Sequence, residues 1–159
     1  MSSSDATTAS SPETAELSTI DMGLEVVTVP VSDVDRALRF YQSLGWRLDI
    51  DLVVSDDFRQ VQMTPPHSNC SIHFGKGITS MEPGSLEKLY LAVKDIDAAR
   101  EDLVSRGVDV TEVEERPKPP GLDVPGRSYF AYASFSDPDG NSWLLQEVTT
   151  RFPGRGWDD

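Results

Sequence analysis

Two histidines, one cysteine and a turn rich in carboxylates are where chemistry would be sought in this chain. His67 and His73 stand six residues apart. That is not the i, i+4 spacing that puts two imidazoles on one helix face, and no carboxylate cluster lies beside them in sequence. His67 follows Pro65-Pro66 and reads as a loop residue. His73 lies in the alternating segment CSIHF (70–74), where it could serve as a general base or as a hydrogen-bonding group toward a ligand. Cys70 would need a base aimed at it to act as a nucleophile. It should face away from His73 across the strand, so it reads as an inert thiol. The turn SDPDGN (136–141) does not suit calcium, whose helix–loop–helix site needs glycine sixth and an acid twelfth. Counted from Asp137, glycine comes fourth and Val148 twelfth. Proline fixes φ, glycine permits positive φ and aspartate bonds its own backbone, so the segment reads as a structural turn.

The elements that must position these residues occur twice. VSDVDRALRFYQSLGWRL begins at Val31 and VKDIDAAREDLVSRGVDV at Val93, an offset of 62 that also aligns Asp33 with Asp95, Ala37 with Ala99 and Gly45 with Gly107. Each copy begins with an apolar strand, 24–31 or 89–93. Asp33 or Asp95 follows as helix N-cap, its carboxylate accepting from a free N–H of the first turn. Helical spacing then recurs at Val34, Ala37, Leu38, Tyr41 and Leu44, and at Ile96, Ala99, Leu103 and Val104. Gly45 and Gly107 end the helices, where a left-handed residue is needed. Three more strands are expected in each copy: 46–52, 59–64 and 70–74, then 108–113, 128–135 and 142–148. The fold class is therefore α+β, two βαβββ modules forming a curved eight-stranded sheet with a helix behind each half and a cleft in front.

Alternation separates the two faces of the strands. Val27, Val29, Val61, Met63, Ile72, Phe74, Leu89, Leu91, Trp143 and Leu145 read as helix-facing. The opposite set faces the cleft: Val26, Thr28, Gln60, Gln62, Thr64, Ser71, His73, Lys88, Tyr90, Ser142, Leu144 and Gln146. A mixed polar and apolar cleft suits a small organic ligand. We expect the ligand-binding residues to be Thr28, Gln60, Gln62, His73, Lys88, Tyr90, Leu144 and Gln146, with His73 the candidate catalytic residue. A Pro- and Gly-rich loop, 114–128, carries Arg116, Lys118 and Arg127 and reads as a lid that could close on an anion, or as a plain surface loop.

Composition narrows the classes. Hydrophobic residues are 38% of 159, and residues 1–20, mostly Ser, Thr, Ala and acids, read as a disordered tail. One domain is expected over 21–149, made of modules 21–80 and 86–149, with a C-terminal tail over 150–159 whose Phe152 and Trp157 could meet a partner subunit. No signal-like start or membrane-length apolar run is present, and one cysteine permits no internal disulfide, so a cytoplasmic protein is expected. A net charge of −13 disfavours nucleic acid.

The duplicated pattern, VVTVPVSDVDRALRFYQSLGW and SDPDGN together resemble the vicinal oxygen chelate superfamily, which includes glyoxalase I, bleomycin-resistance proteins and extradiol dioxygenases. The resemblance covers roughly 22–149. In metal-dependent members, His or Glu ligands occupy the first and last strands of each module. The resemblance places three of these positions at Val26, Lys88 and Leu144, and a fourth at His73 or Ser71. Valine and leucine offer no lone pair and an ammonium repels a cation, so no metal ligand set and no cofactor is expected. The resemblance also implies a homodimer with clefts at the interface. Two principal readings remain: a metal-free protein that holds a small molecule for sequestration or resistance, and an enzyme. The enzyme could be a metal-free lyase or isomerase with His73 as base, or a lyase, isomerase or dioxygenase with metal at a non-standard site. A third reading, an interaction module with an empty cleft, fits the polar inner face less well. Acidity would favour a cationic ligand, whereas Lys88 and the lid would favour an anion.

Overall fold

The computed structural model describes residues 16–152 and residue 155. Most of the expected N-terminal tail lies outside these residues, as does Trp157. The elements are β1 (Val26–Thr28), α1 (Val34–Ser43), β2 (Arg47–Ser55), β3 (Phe58–Thr64), β4 (Ser71–Lys76), β5 (Leu89–Val93), α2 (Ile96–Ser105), β6 (Glu114–Glu115), β7 (Ala131–Ser136) and β8 (Ser142–Glu147). This is βαβββ twice. The strands form two four-stranded sheets, ordered β1-β4-β3-β2 and β5-β8-β7-β6, rather than one continuous ladder of eight. In each, the first strand pairs parallel to the last and the others pair antiparallel.

The repeat works because its local signals agree. Asp33 accepts from the Arg36 N–H and Asp95 from the Ala98 N–H, both at 3.0 Å, which satisfies first-turn donors that a helix leaves free. Gly45 and Gly107 take φ of 85° and 87° after the helices, a conformation that a Cβ would strain. Ala37 and Tyr41 are buried on α1 with Leu44 at its C-cap, and Ile96 and Leu103 on α2. Val104 departs from the expected stripe: it points to solvent because Leu103 takes the core position of that turn.

Both modules share one core. Val61, Met63 and Phe74 of the first sheet and Ala131, Phe135, Trp143 and Leu145 of the second belong to the same buried cluster. Tyr41 lies between them, 5.6 Å from the Phe74 ring and 6.1 Å from Trp143. Each such aromatic or aliphatic side chain contributes about 1.5–3 kcal/mol on full burial.

The strand expected over 108–113 does not form. Val108 and Val110 are buried, and the Thr111 N–H reaches the Ser134 carbonyl at 2.9 Å. The Thr111 hydroxyl, however, takes the Ser134 N–H, so a side chain stands where the returning ladder bond would be. Regular pairing resumes only at Glu114 with Tyr132.

Candidate functional site

Strand register gathers the predicted cleft residues into two groups, one on each sheet. On the first sheet, Thr28, His73, Gln62 and Ile50 lie in one cross-strand row, with Gly75, Gln60 and Leu52 in the next. His73 Nε2 lies 2.5 Å from Thr28 Oγ1, and its Nδ1 lies 3.3 Å from Gln60 Nε2. Burial holds the His73 pKa below its ordinary value, which keeps the ring neutral near pH 7. Both ring nitrogens are therefore engaged within the sheet. As a general base, His73 would first have to release Gln60.

A second polar row crosses the same face. The Thr64 hydroxyl donates to the Asp49 carboxylate, so the Ser71 hydroxyl, 2.7 Å from it, donates to Thr64. The bond from Thr64 to Asp49, ahead of the one from Arg47, holds the Asp49 carboxyl below the usual carboxylate range. Asp49 reaches Thr64 because β2 has a register irregularity between Leu48 and Ile50. Sequence reasoning missed the contribution of β2. Ile50 and Leu52 present 44% and 48% of their surface beside the polar rows, an unusual exposure for large aliphatic residues. The alternating segment LDIDL carried that signal, but the bulge hid which face it served.

On the second sheet, Tyr90, Leu144 and Ser134 form one row, and Ala92, Gln146 and Tyr132 the next. Tyr90 is 58% exposed. The Gln146 amide donates to the Tyr129 carbonyl and lies 3.3 Å from the Tyr132 hydroxyl. The Arg116 guanidinium sits 4.7 Å above the Tyr132 ring. Tyr132 was missed although it alternates with the small buried residues Ala131 and Ala133. Lys88 precedes β5 rather than lying within it. It is exposed and has φ of 55°, while its N–H donates to Ser142 Oγ at 2.7 Å.

The lid expectation needs correction. Arg127 is committed to Asp97, Glu147 and Glu115, at 2.6, 2.9 and 3.1 Å. Those carboxylates, Asp97 first, push its pKa up further. The Lys118 ammonium donates to the Val124 carbonyl within its own loop. Only Arg116 of the three reaches the sheet face. Phe152 likewise stacks on Tyr129 of its own chain at 4.6 Å. Cys70 is half-buried, and burial followed by the nearby Glu25 charge raises its thiol pKa, which suits an inert thiol.

The turn 136–141 clasps the modules together. Asp137 accepts from the Tyr41 hydroxyl and from the Asn141 amide, both at 2.8 Å. Asn141 also donates to the Pro30 carbonyl at 2.8 Å and accepts from the Leu86 N–H at 3.1 Å. Asp139 receives Ser32 and Arg36 from the start of α1. Burial first, then the Asp137 charge, drives the Tyr41 phenol pKa far above its ordinary value, so it is a permanent donor here.

Two cavities have volumes of about 490 and 530 Å³, and the first is lined in part by Ser134 and Ser142 of the second sheet. One opens between Phe40, Val108, Ser134 and Pro138, and the other between α2 and Glu112, Glu115 and Arg127. Among the described residues, no group of three or more His, Cys, Asp or Glu side chains is placed to hold a metal ion. Among those residues, no helix is long and apolar enough to cross a membrane. Val26 and Leu144 bring only hydrocarbon to the metal-ligand positions that the resemblance implies, so the donor set does not fit a metal there.

Comparison with known proteins agrees with this architecture. Residues 23–145 match the Glyoxalase/Bleomycin resistance protein/Dioxygenase superfamily. The structure of TnmS3, an antibiotic binding protein from Streptomyces sp. CB03234, is 34% identical with a TM-score of 0.62, over 83% of this chain and 99% of that one. A glyoxalase/bleomycin resistance protein from the same organism is 34% identical with a TM-score of 0.59, over 78% and 99%. A member of the superfamily from Sphaerobacter thermophilus DSM 20745 is 29% identical with a TM-score of 0.63, over 80% and 98%. A search of curated proteins returns no match. Two βαβββ modules on a shared core, matched over most of their length, carry one conclusion: the chain belongs to the glyoxalase/bleomycin resistance/dioxygenase superfamily.

Proposed function

We propose that this protein binds a small organic molecule without a metal and sequesters it unchanged. The observation that carries the reading is the pair of amphipathic sheet faces, polar rows beside exposed Ile50, Leu52 and Tyr90, and the resemblance puts Val26, Lys88 and Leu144 at the superfamily's metal positions there. Likeness to an antibiotic binding protein supports it. The ligand residues are Thr28, Gln60, Gln62 and His73 on one face and Tyr90, Leu144 and Gln146 on the other, with Lys88 at the rim. Each face is open in the single chain, so the functional unit is a homodimer in which the first sheet of one copy faces the second sheet of its partner. Exposed Leu48, Val53 and Val54 on β2 would be covered on assembly. A panel of aromatic antibiotics, tested by calorimetry and followed by extraction, checks the reading. Saturable binding with the compound recovered intact is expected. Its conversion to product by the protein would overturn the reading and favour an enzyme.

A further inference from the structure

Thr28, His73 and Gln60 form a linear chain of side-chain contacts on the first sheet, and its proton positions can be worked out. The group of Gln60 that faces His73 Nδ1 is the amide nitrogen, which can only donate. Nδ1 is therefore the acceptor of a neutral ring, and the ring proton sits on Nε2. Nε2–H then donates to Thr28 Oγ1 across 2.5 Å. With one lone pair so occupied, the Thr28 hydroxyl keeps its own proton for another partner, and among the described residues no second side-chain bond holds it. Gln62, next in the same row and half-buried, makes no side-chain hydrogen bond among the described residues. Ile50 and Leu52 supply apolar surface at the end of the rows.

We infer that Thr28 Oγ–H is the specificity donor of this face, held outward by the Nε2–H tautomer of His73, and that it recognises an uncharged carbonyl oxygen on an otherwise apolar ligand. His73 is thus a positioning residue, and Gln60 sets its tautomer. The ring's lowered pKa agrees, because an imidazolium could not accept from Gln60. An uncharged acceptor is favoured over a carboxylate because Asp49 lies one row away and the chain carries a net charge of −13. This inference rests on the small-molecule reading and names the chemical class that the face takes.

Two measurements on the full chain test it. Two-bond ¹⁵N–¹H correlations report the His73 tautomer without any ligand, with His67→Asn removing the other histidine. The Nε2–H pattern is expected, and an Nδ1–H or imidazolium pattern near pH 7 overturns the inference. Amide chemical-shift titrations then compare acetophenone with ethylbenzene, which has the same body without the oxygen, and with benzoate. One net hydrogen bond predicts roughly threefold to tenfold tighter binding of acetophenone. That margin should survive Thr28→Ser, vanish in Thr28→Val, and not be exceeded by benzoate. Equal affinities for acetophenone and ethylbenzene would overturn the recognition while leaving small-molecule binding intact. Failure of all three probes to shift any resonance on either sheet face would count against the binding reading itself.

Discussion

Replacing Asn141 should separate the two modules more than any surface change, and by an amount that can be reasoned out. Its side chain is fully buried and makes three hydrogen bonds, to Pro30, Asp137 and Leu86. In Asn141→Ala, the Pro30 carbonyl keeps its bond from Gly84 and Asp137 keeps Tyr41. The Leu86 N–H is left without a partner. An orphaned part-buried donor costs about 1 kcal/mol, and a lost bond to a carboxylate about 1.5–3 kcal/mol, so about 3 kcal/mol is expected. Urea unfolding followed by fluorescence of Trp46 and Trp143 should show the midpoint falling by about 1–3 M. Asn141→Asp sharpens the test. Its introduced carboxyl would face Asp137 and the Pro30 carbonyl, which raises its folded-state pKa above the unfolded value near ~3.9. A raised folded-state pKa means that the protonated form fits better. The penalty is then largest at neutral pH and shrinks as pH falls toward that raised value. The variant should therefore be less stable than Asn141→Ala at about pH 7.5 and recover toward it near pH 5.5. A loss below about 1 kcal/mol for Asn141→Ala, or no pH dependence of the difference between the two, would refute the clasp.

Other changes probe single features. Lys88→Gly removes left-handed backbone strain worth about 1 kcal/mol and keeps the bond from the backbone N–H to Ser142, so the melting temperature should rise by about 2–4 °C. A fall would mean that the lysine side chain stabilises the fold. Arg127→Ala frees the loop before β7 from Asp97, Glu115 and Glu147, and limited proteolysis should cut that loop severalfold faster than in the parent. An unchanged cleavage rate would show that other contacts hold it. Gly75→Ala would place a methyl 1.8 Å from the Arg59 carbonyl oxygen, a backbone clash between β3 and β4, and should leave little soluble protein at growth temperature. Cys70 should react with a thiol reagent more slowly than a free cysteine at pH 7.5, because its thiolate fraction is lower.

Much of the architecture was legible because its signals are local. Capping aspartates, C-terminal glycines and helical spacing all lie within one turn of the residues that they organise, and the repeat doubled each clue. Strand alternation likewise assigned Val29, Val61, Met63, Phe74, Trp143 and Leu145 to the core. The misses are non-local. Segment 108–113 has the composition of a strand, but its pairing is diverted by the Thr111 hydroxyl, a contact with a residue 23 positions away. The turn 136–141 looked self-contained, yet its carboxylates serve α1. Arg127 lies in a loop that reads as a lid, and only the folded chain shows the three carboxylates that claim it. The candidate site was half legible. Alternation grouped Thr28, Gln60, Gln62 and His73, whereas nothing local revealed that Tyr90, Leu144 and Gln146 lie on a separate sheet.

Metal content tests the central claim most directly. Protein purified without chelator or affinity tag should contain no stoichiometric Zn, Ni, Mn or Fe, and should show no thermal shift with any of them. Its affinity for a bound small molecule should be unchanged by chelator. About one metal ion per chain with a raised melting temperature would contradict the account and turn it toward a metal-dependent enzyme of the superfamily.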